Sequence, residues 1–108
     1  IVPLDGAAYD VARQMQNGAR MMADTYRQAF GNDPARQAAL SPTLQAAAPN
    51  VSDFLVLHVQ RADGAQQSRD LAAALRKGGS RAEVQGFEGR GLRGHREINH
   101  DLGDPAYP

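Results

Sequence analysis

The clearest hydrophobic signal is Phe54-Leu55-Val56-Leu57-His58-Val59, apolar almost throughout instead of alternating with polar positions. That pattern predicts a strand covered on both faces, as in a parallel sheet. Ile1-Val2-Pro3-Leu4 is a shorter run of the same kind, with its proline near an edge or terminus. Asp5-Gly6 follows it with turn chemistry. Ala82 to Phe87 reads as a further strand.

Elsewhere the apolar positions recur at helical spacing. Tyr9, Val11, Ala12, Met15 and Ala19, then Met22, Tyr26, Ala29 and Phe30, fall three to four residues apart. They predict two helical pieces within 7–30, broken near Asn17-Gly18. Asp33-Pro34 reads as an N-cap followed by proline at the first helical position of a short helix over 35–40. Ser41-Pro42-Thr43-Leu44 opens a turn and a helix start that ends before Pro49-Asn50. The polar stretch 60–66, containing Asp63-Gly64, reads as a loop. The helix after it, 67–77, carries Leu71, Ala74 and Leu75 on one stripe, ends in Arg76-Lys77 and stops at Gly78-Gly79. The glycine- and arginine-rich stretch 88–94 reads as loop, and 97–102 as a closing helix stopped by Gly103 and Pro105.

Strands alternating with helices in this order predict an α/β fold: about three parallel strands with flanking helices, joined by right-handed crossovers. Composition narrows the possible functions. Lys plus Arg and Asp plus Glu are both 12, so the net charge is zero. Nucleic-acid and polybasic membrane binding, which need surplus positive charge, are disfavoured. With no cysteine, thiolate zinc sites, disulfides and a cysteine nucleophile are excluded, and neither side of a membrane is favoured. No run approaches the roughly 20 apolar residues of a membrane span.

In parallel α/β sheets functional loops gather at the carboxyl edge of the strands. The loops expected there hold Asp5, Asp63 and His95. Asp63 and His95 are brought back to the same edge by the strand–helix–strand passage between them. A carboxylate holding a histidine supplies two-thirds of an acyl-transfer triad, because it fixes the imidazole tautomer and stabilises the imidazolium. Each residue also has a plainer reading: Asp63 before glycine as a turn former, His95 as an exposed polar residue, His58 as a packed or strand-end residue, and His100 as a structural or surface-exposed residue of the closing helix. His95, His100 and Asp101 do not fall cleanly on one helical face, so no metal site is read, and the glycines of 86–91 fit no nucleotide fingerprint.

Taken together, several stretches resemble the C-terminal part of an α/β-hydrolase of the serine carboxylesterase and lipase type, the branch that also resembles kynurenine formamidases and feruloyl esterases. Leu4-Asp5-Gly6-Ala7-Ala8-Tyr9-Asp10 is similar to the segment leaving the strand after the nucleophile elbow. Leu40-Ser41-Pro42, Pro49-Asn50 and Phe54-Leu55-Val56-Leu57-His58 resemble the approach to the acid. Gln67-Ser68, Leu71 to Leu75 and Gly78-Gly79 resemble the helix after it. Gly94-His95-Arg96-Glu97-Ile98-Asn99 and Asp101-Leu102-Gly103 resemble the histidine loop and final helix, although the loop 89–94 is longer and more basic than the pattern leads one to expect.

The resemblance implies an ester hydrolase without a cofactor, acting on a small ester. Asp63 would be the acid, with Asp5 in reserve, and His95 the general base. Residues 7–50 would form a helical cap-like excursion in which Tyr9, Met15, Met22, Tyr26 and Phe30 line a substrate pocket or simply pack the cap. Residues 54–108 would carry the acid strand, the helix, the last strand, the histidine loop and the final helix. No serine here has the flanking glycines of a G-x-S-x-G elbow, and no HGGG-type oxyanion loop is present. The expectation is therefore a half-enzyme, cut before Ile1. It would be incomplete without an N-terminal half or a complementary chain carrying the serine and the oxyanion hole, and the assembled enzyme could form a homo-oligomer. The alternative, from a different class, is a non-catalytic α/β binding or interaction module that is stable by itself.

Overall fold

The computed structural model describes residues 1–18, 20–47 and 49–107; Ala19 of the first apolar stripe, Ala48 and Pro108 lie outside the described residues. The fold is α/β. Two strands, β1 (Asp53–Gln60) and β2 (Arg81–Arg90), pair in parallel, in register from Asp53 opposite Arg81 to His58 opposite Gly86. The register shifts between His58 and Gln60, where Gln60 comes opposite Arg90.

The chain start lies along the other side of β1. Leu55 N–H donates to the Ile1 carbonyl at 3.0 Å, Leu57 N–H to the Pro3 carbonyl at 3.0 Å, and Asp5 N–H to the Leu57 carbonyl at 2.7 Å. The third strand expected from sequence is thus reduced to one parallel bridge, Leu4 to Leu57. Pro3 has no N–H and can only accept. Asp5 then turns the chain away with a left-handed φ of 44°.

The excursion folds as α1 (Val11–Asn17), a 3₁₀ turn (Arg20–Met22), α2 (Ala23–Phe30) and α3 (Pro34–Ala39). Asp10 caps α1 by accepting from Arg13 N–H, and Asp33 caps α3 by accepting from Ala35 N–H, with Pro34 in the first turn. The helix start read after Ser41 is a turn only. The Ser41 hydroxyl is fully committed there, accepting from Val11 N–H at 2.8 Å and donating to the Gln37 carbonyl at 2.7 Å.

Two loops read from sequence are in fact regular structure. Helix α4 runs Ala62–Lys77, so most of the stretch 60–66 forms its first turns. Its buried stripe continues back from Leu75, Ala72 and Leu71 through Ser68, Gln67 and Gly64, at helical spacing but without apolar side chains. The stretch 88–94 likewise divides between the end of β2 and the start of α5 (Gly91–Asp101).

The sheet separates two cores. On one face Val56 and Ala82 pack against Leu71, Ala72 and Leu75 of α4, with Ala46, Tyr9 and Phe54. On the other Leu57 and Val59 pack against Ile98 of α5, with Leu4, Phe87 and Tyr107. Tyr107 stacks on Phe87 with ring centroids 5.4 Å apart. Ile98 is wholly buried, and a side chain of that size contributes about 1.5–3 kcal/mol by leaving water. It is the anchor that holds α5, and with it His95, on the sheet.

Candidate functional site

Asp5 is the centre of the site. It leaves the sheet edge beside β1 and is wholly inaccessible to solvent. A buried carboxylate is tolerated only where it is paired and hydrogen-bonded, and this one has three partners. Oδ1 accepts from Val59 N–H at 2.8 Å. Oδ2 lies 2.6 Å from Nδ1 of His95 and 3.1 Å from Nε of Arg61. A second arginine nitrogen, Nη2, donates to the Asp5 main-chain carbonyl at 2.8 Å.

Three elements bring these groups together. Asp5 follows the N-terminal run, Arg61 is the N-cap position of α4 directly after β1, and His95 lies near the start of α5 directly after β2. All three therefore stand at the carboxyl edge of the parallel strands, where such folds gather functional groups.

An ionised carboxylate only accepts, so at 2.6 Å the proton between them is carried by His95 Nδ1. That assignment leaves Nε2 as the basic nitrogen of the neutral ring. The His95 side chain is 38% exposed, so the ring reaches from a buried acid to the surface. It borders an open groove of about 650 Å³, lined with Arg93, Arg96, Glu97, Asn99, His100 and Asp101. Polar side chains pair along this face: Arg93 with Glu97 at 2.9 Å, and His100 Nδ1 lies 3.0 Å from Asp101 Oδ1. Nearby, burial pushes the Tyr107 phenol above its usual range, and the negative charges of Glu97, Asp101 and Asp5 add to the effect.

The acid expected first, Asp63, is not the partner of His95. It sits in the first turn of α4, where a carboxylate suits the helix dipole. Its Oδ2 accepts from Gln14 Nε2 at 3.0 Å. Gln14 is wholly buried and joins α1 to α4: its Oε1 accepts from Gln67 Nε2 at 2.7 Å, and its Nε2 also donates to Tyr26 Oη at 3.0 Å. Asp63 is thus part of a network between helices, and beside it lies a cleft of about 220 Å³ bordered by Arg13, Asn17 and Gln66. The residue held in reserve, Asp5, stands where Asp63 was expected.

The five pocket candidates do not gather at His95, because the groove beside it is lined by α5 alone. Tyr9 borders a separate cavity of about 340 Å³ with Ile1, Pro3, Phe54 and Leu71. Its hydroxyl accepts from Gly6 N–H at 3.1 Å. Met15 sulfur accepts from Gln37 Nε2, Tyr26 and Phe30 approach each other with ring centroids 6.3 Å apart, and Met22 is exposed. His58 is buried, with Nδ1 3.0 Å from the Val59 carbonyl oxygen, and its ring occupies the space a Cβ on Gly86 would need.

Arg61 is the member of the site that sequence reasoning missed. The one signal that could have found it is its place immediately after the strand that carries the edge. Among the described residues no serine or threonine hydroxyl hydrogen-bonds His95, no three His, Cys, Asp or Glu side chains are grouped to hold a metal, and no helix is long and apolar enough to cross a membrane. Compared with known proteins, the chain matches no family model, no curated protein and no solved structure.

Proposed function

We propose that this chain supplies the acid–base pair of a serine-dependent carboxylic ester hydrolase, with Asp5 as the acid and His95 as the base. The observation that carries the reading is a buried carboxylate 2.6 Å from Nδ1 of a histidine whose ring is part-exposed. That arrangement fixes the neutral tautomer with Nε2 free and stabilises the imidazolium once Nε2 takes a proton. The resemblance of the surrounding segments to the C-terminal part of an α/β-hydrolase, and the α/β fold itself, support the same reading.

In this scheme the nucleophilic serine lies on polypeptide outside these 108 residues. Its Oγ attacks the ester carbonyl while His95 Nε2 takes the hydroxyl proton. The C–O bond to the alcohol then breaks, and the departing oxygen receives that proton. Water attacks the acyl-enzyme with Nε2 again as base, the acyl–Oγ bond breaks, and serine regains its proton as the carboxylic acid leaves.

The test is hydrolysis of p-nitrophenyl acetate by the complete gene product, combined with labelling by a fluorophosphonate and peptide mapping. The labelled serine is expected outside Ile1–Pro108, and His95→Ala is expected to lower turnover by about 10³-fold or more. Undiminished turnover in that variant, or a label on Ser41, Ser52, Ser68 or Ser80, would refute the assignment. A gene product that melts cooperatively and neither takes the label nor turns over ester would favour the non-catalytic module.

A further inference from the structure

We infer that Arg61 is the positioning residue of the Asp5–His95 pair, holding the acid in the strained conformation that aims it at the imidazole. The inference rests on the acid–base reading above. Asp5 has a left-handed φ of 44°, a conformation that costs a side-chain-bearing residue free energy and persists only where its surroundings impose it. Arg61 grips the same residue at two points. Nη2 donates to its main-chain carbonyl at 2.8 Å, and Nε stands 3.1 Å from Oδ2.

The two contacts differ in kind. The Nη2 contact is a directed hydrogen bond on the backbone. Nε makes no hydrogen bond of its own, so toward the carboxylate Arg61 contributes charge, and the directed bond to Oδ2 belongs to His95. Arg61 therefore restrains Asp5 through its charge and the bond to the backbone, and leaves the directed bond at Oδ2 to His95.

The guanidinium is built into the fold. The side chain is 13% exposed and lies over Gly64, where a Cβ would come within 3.3 Å of Nη2. Charged or titratable groups near the pair come from several elements: Arg61 from the N-cap of α4, Tyr9 from the loop after Asp5, and Tyr107 from the C-terminal turn. Arg61 is the cation in contact with the buried carboxylate. Lysine could keep the charge but not span both points, because it lacks the planar fork.

The experiment uses the ¹⁵N-labelled complete gene product and reads the His95 ring by NMR: its tautomer, and the exchange of its Nδ1 proton with water. The parent is expected to hold the Nδ1–H form. In Arg61→Gln the ring should drift toward the mixture of free imidazole, where the Nε2–H form predominates, and Nδ1 exchange should quicken roughly tenfold, equivalent to about 1.4 kcal/mol. Arg61→Lys should fall between parent and Gln. Should the Gln variant fail to fold, the Lys variant decides: faster Nδ1 exchange supports the inference. An Nδ1 proton unchanged in every folded Arg61 variant overturns it, because a merely structural arginine would alter the melt and leave the ring alone. Asp5→Asn separates the two levels of failure. If it leaves the ring unchanged, the acid–base pairing itself is wrong. If it alters the ring while the Arg61 variants do not, only the role of Arg61 is lost.

Discussion

Gly94 lies in backbone contact with Gly89: a Cβ built on Gly94 would stand 2.5 Å from the Gly89 carbonyl carbon and 3.0 Å from its Cα and oxygen. Helix α5 thus turns back over the end of β2 with no side chain between them. That contact sets the height of His95, the next residue, above the sheet edge. It also explains why a stretch rich in glycine is ordered strand and helix: some of its glycines serve close packing, not flexibility.

Gly94→Ala distinguishes the two effects. In a helix interior alanine gains up to about 1 kcal/mol over glycine. Against rigid backbone the added methyl costs about 1–3 kcal/mol, and here every crowding atom is backbone. The cost should win. The expected outcome is a lower melting temperature together with loss of the His95–Asp5 hydrogen bond, read by thermal denaturation and by the Nδ1 proton. A stabilised variant would show that the approach is looser than this geometry.

The two candidate acids should behave differently. Asp5→Ala leaves Arg61 buried without its carboxylate, and breaking a buried pair in this way costs about 3–5 kcal/mol. Asp63 is only partly buried and accepts one hydrogen bond from another side chain, so Asp63→Ala should cost about 1 kcal/mol. Chemical denaturation measures both. The same pair of variants in the ester-hydrolysis assay of the complete gene product should show Asp5→Ala as the damaging one. The reverse order would restore Asp63 as the acid.

Gln14 ties the excursion to the sheet domain. Gln14→Leu keeps its volume roughly constant but removes the partner of Gln67 Nε2, Asp63 and Tyr26 Oη. Each buried polar group left unpaired costs about 1–3 kcal/mol, so a loss of about 2–4 kcal/mol is expected. The double variant Gln14→Leu with Gln67→Leu should cost less than the sum of the singles, since each amide is the penalty of the other. Additive losses in urea unfolding would show that the two glutamines act independently.

Part of this structure was legible in the chain. The run at 54–59, apolar but for His58, gave away β1, because a strand buried on both faces needs apolar residues at nearly every position. The Asp33-Pro34 signature located α3 for the same local reason. The first turns of α4 were not legible: they bury Gly64, Gln67 and Ser68, which carry no hydrophobic period. The site divides in the same way. His95 and the carboxyl edge follow from the alternation of elements. Which of two edge carboxylates meets the imidazole depends on how α4 starts. A loop would have freed Asp63 to approach, whereas the helix turns it toward Gln14 and leaves Asp5 as the partner.

Tyr9 supplies a test by pH. Burial raises its phenol above the usual 10.0, against the opposing hydrogen bond from Gly6; the charge of Asp5 raises it further and that of Arg61 lowers it. The folded chain therefore binds this proton more tightly than the unfolded chain. The resulting stabilisation is fully present below the unfolded value and is lost as pH rises through the higher folded one. Tyr9→Phe cannot ionise but gives up the acceptor for Gly6 N–H, a loss of about 0.5–1.5 kcal/mol at neutral pH. The stability gap between parent and Tyr9→Phe should then hold steady up to about pH 9 and narrow above about pH 10, where a free tyrosine begins to titrate. Using the difference between the two proteins cancels the alkaline titration of Tyr107, which both share. A gap that stays constant in urea unfolding across that range would mean that Tyr9 does not ionise with the fold intact or broken as its burial requires.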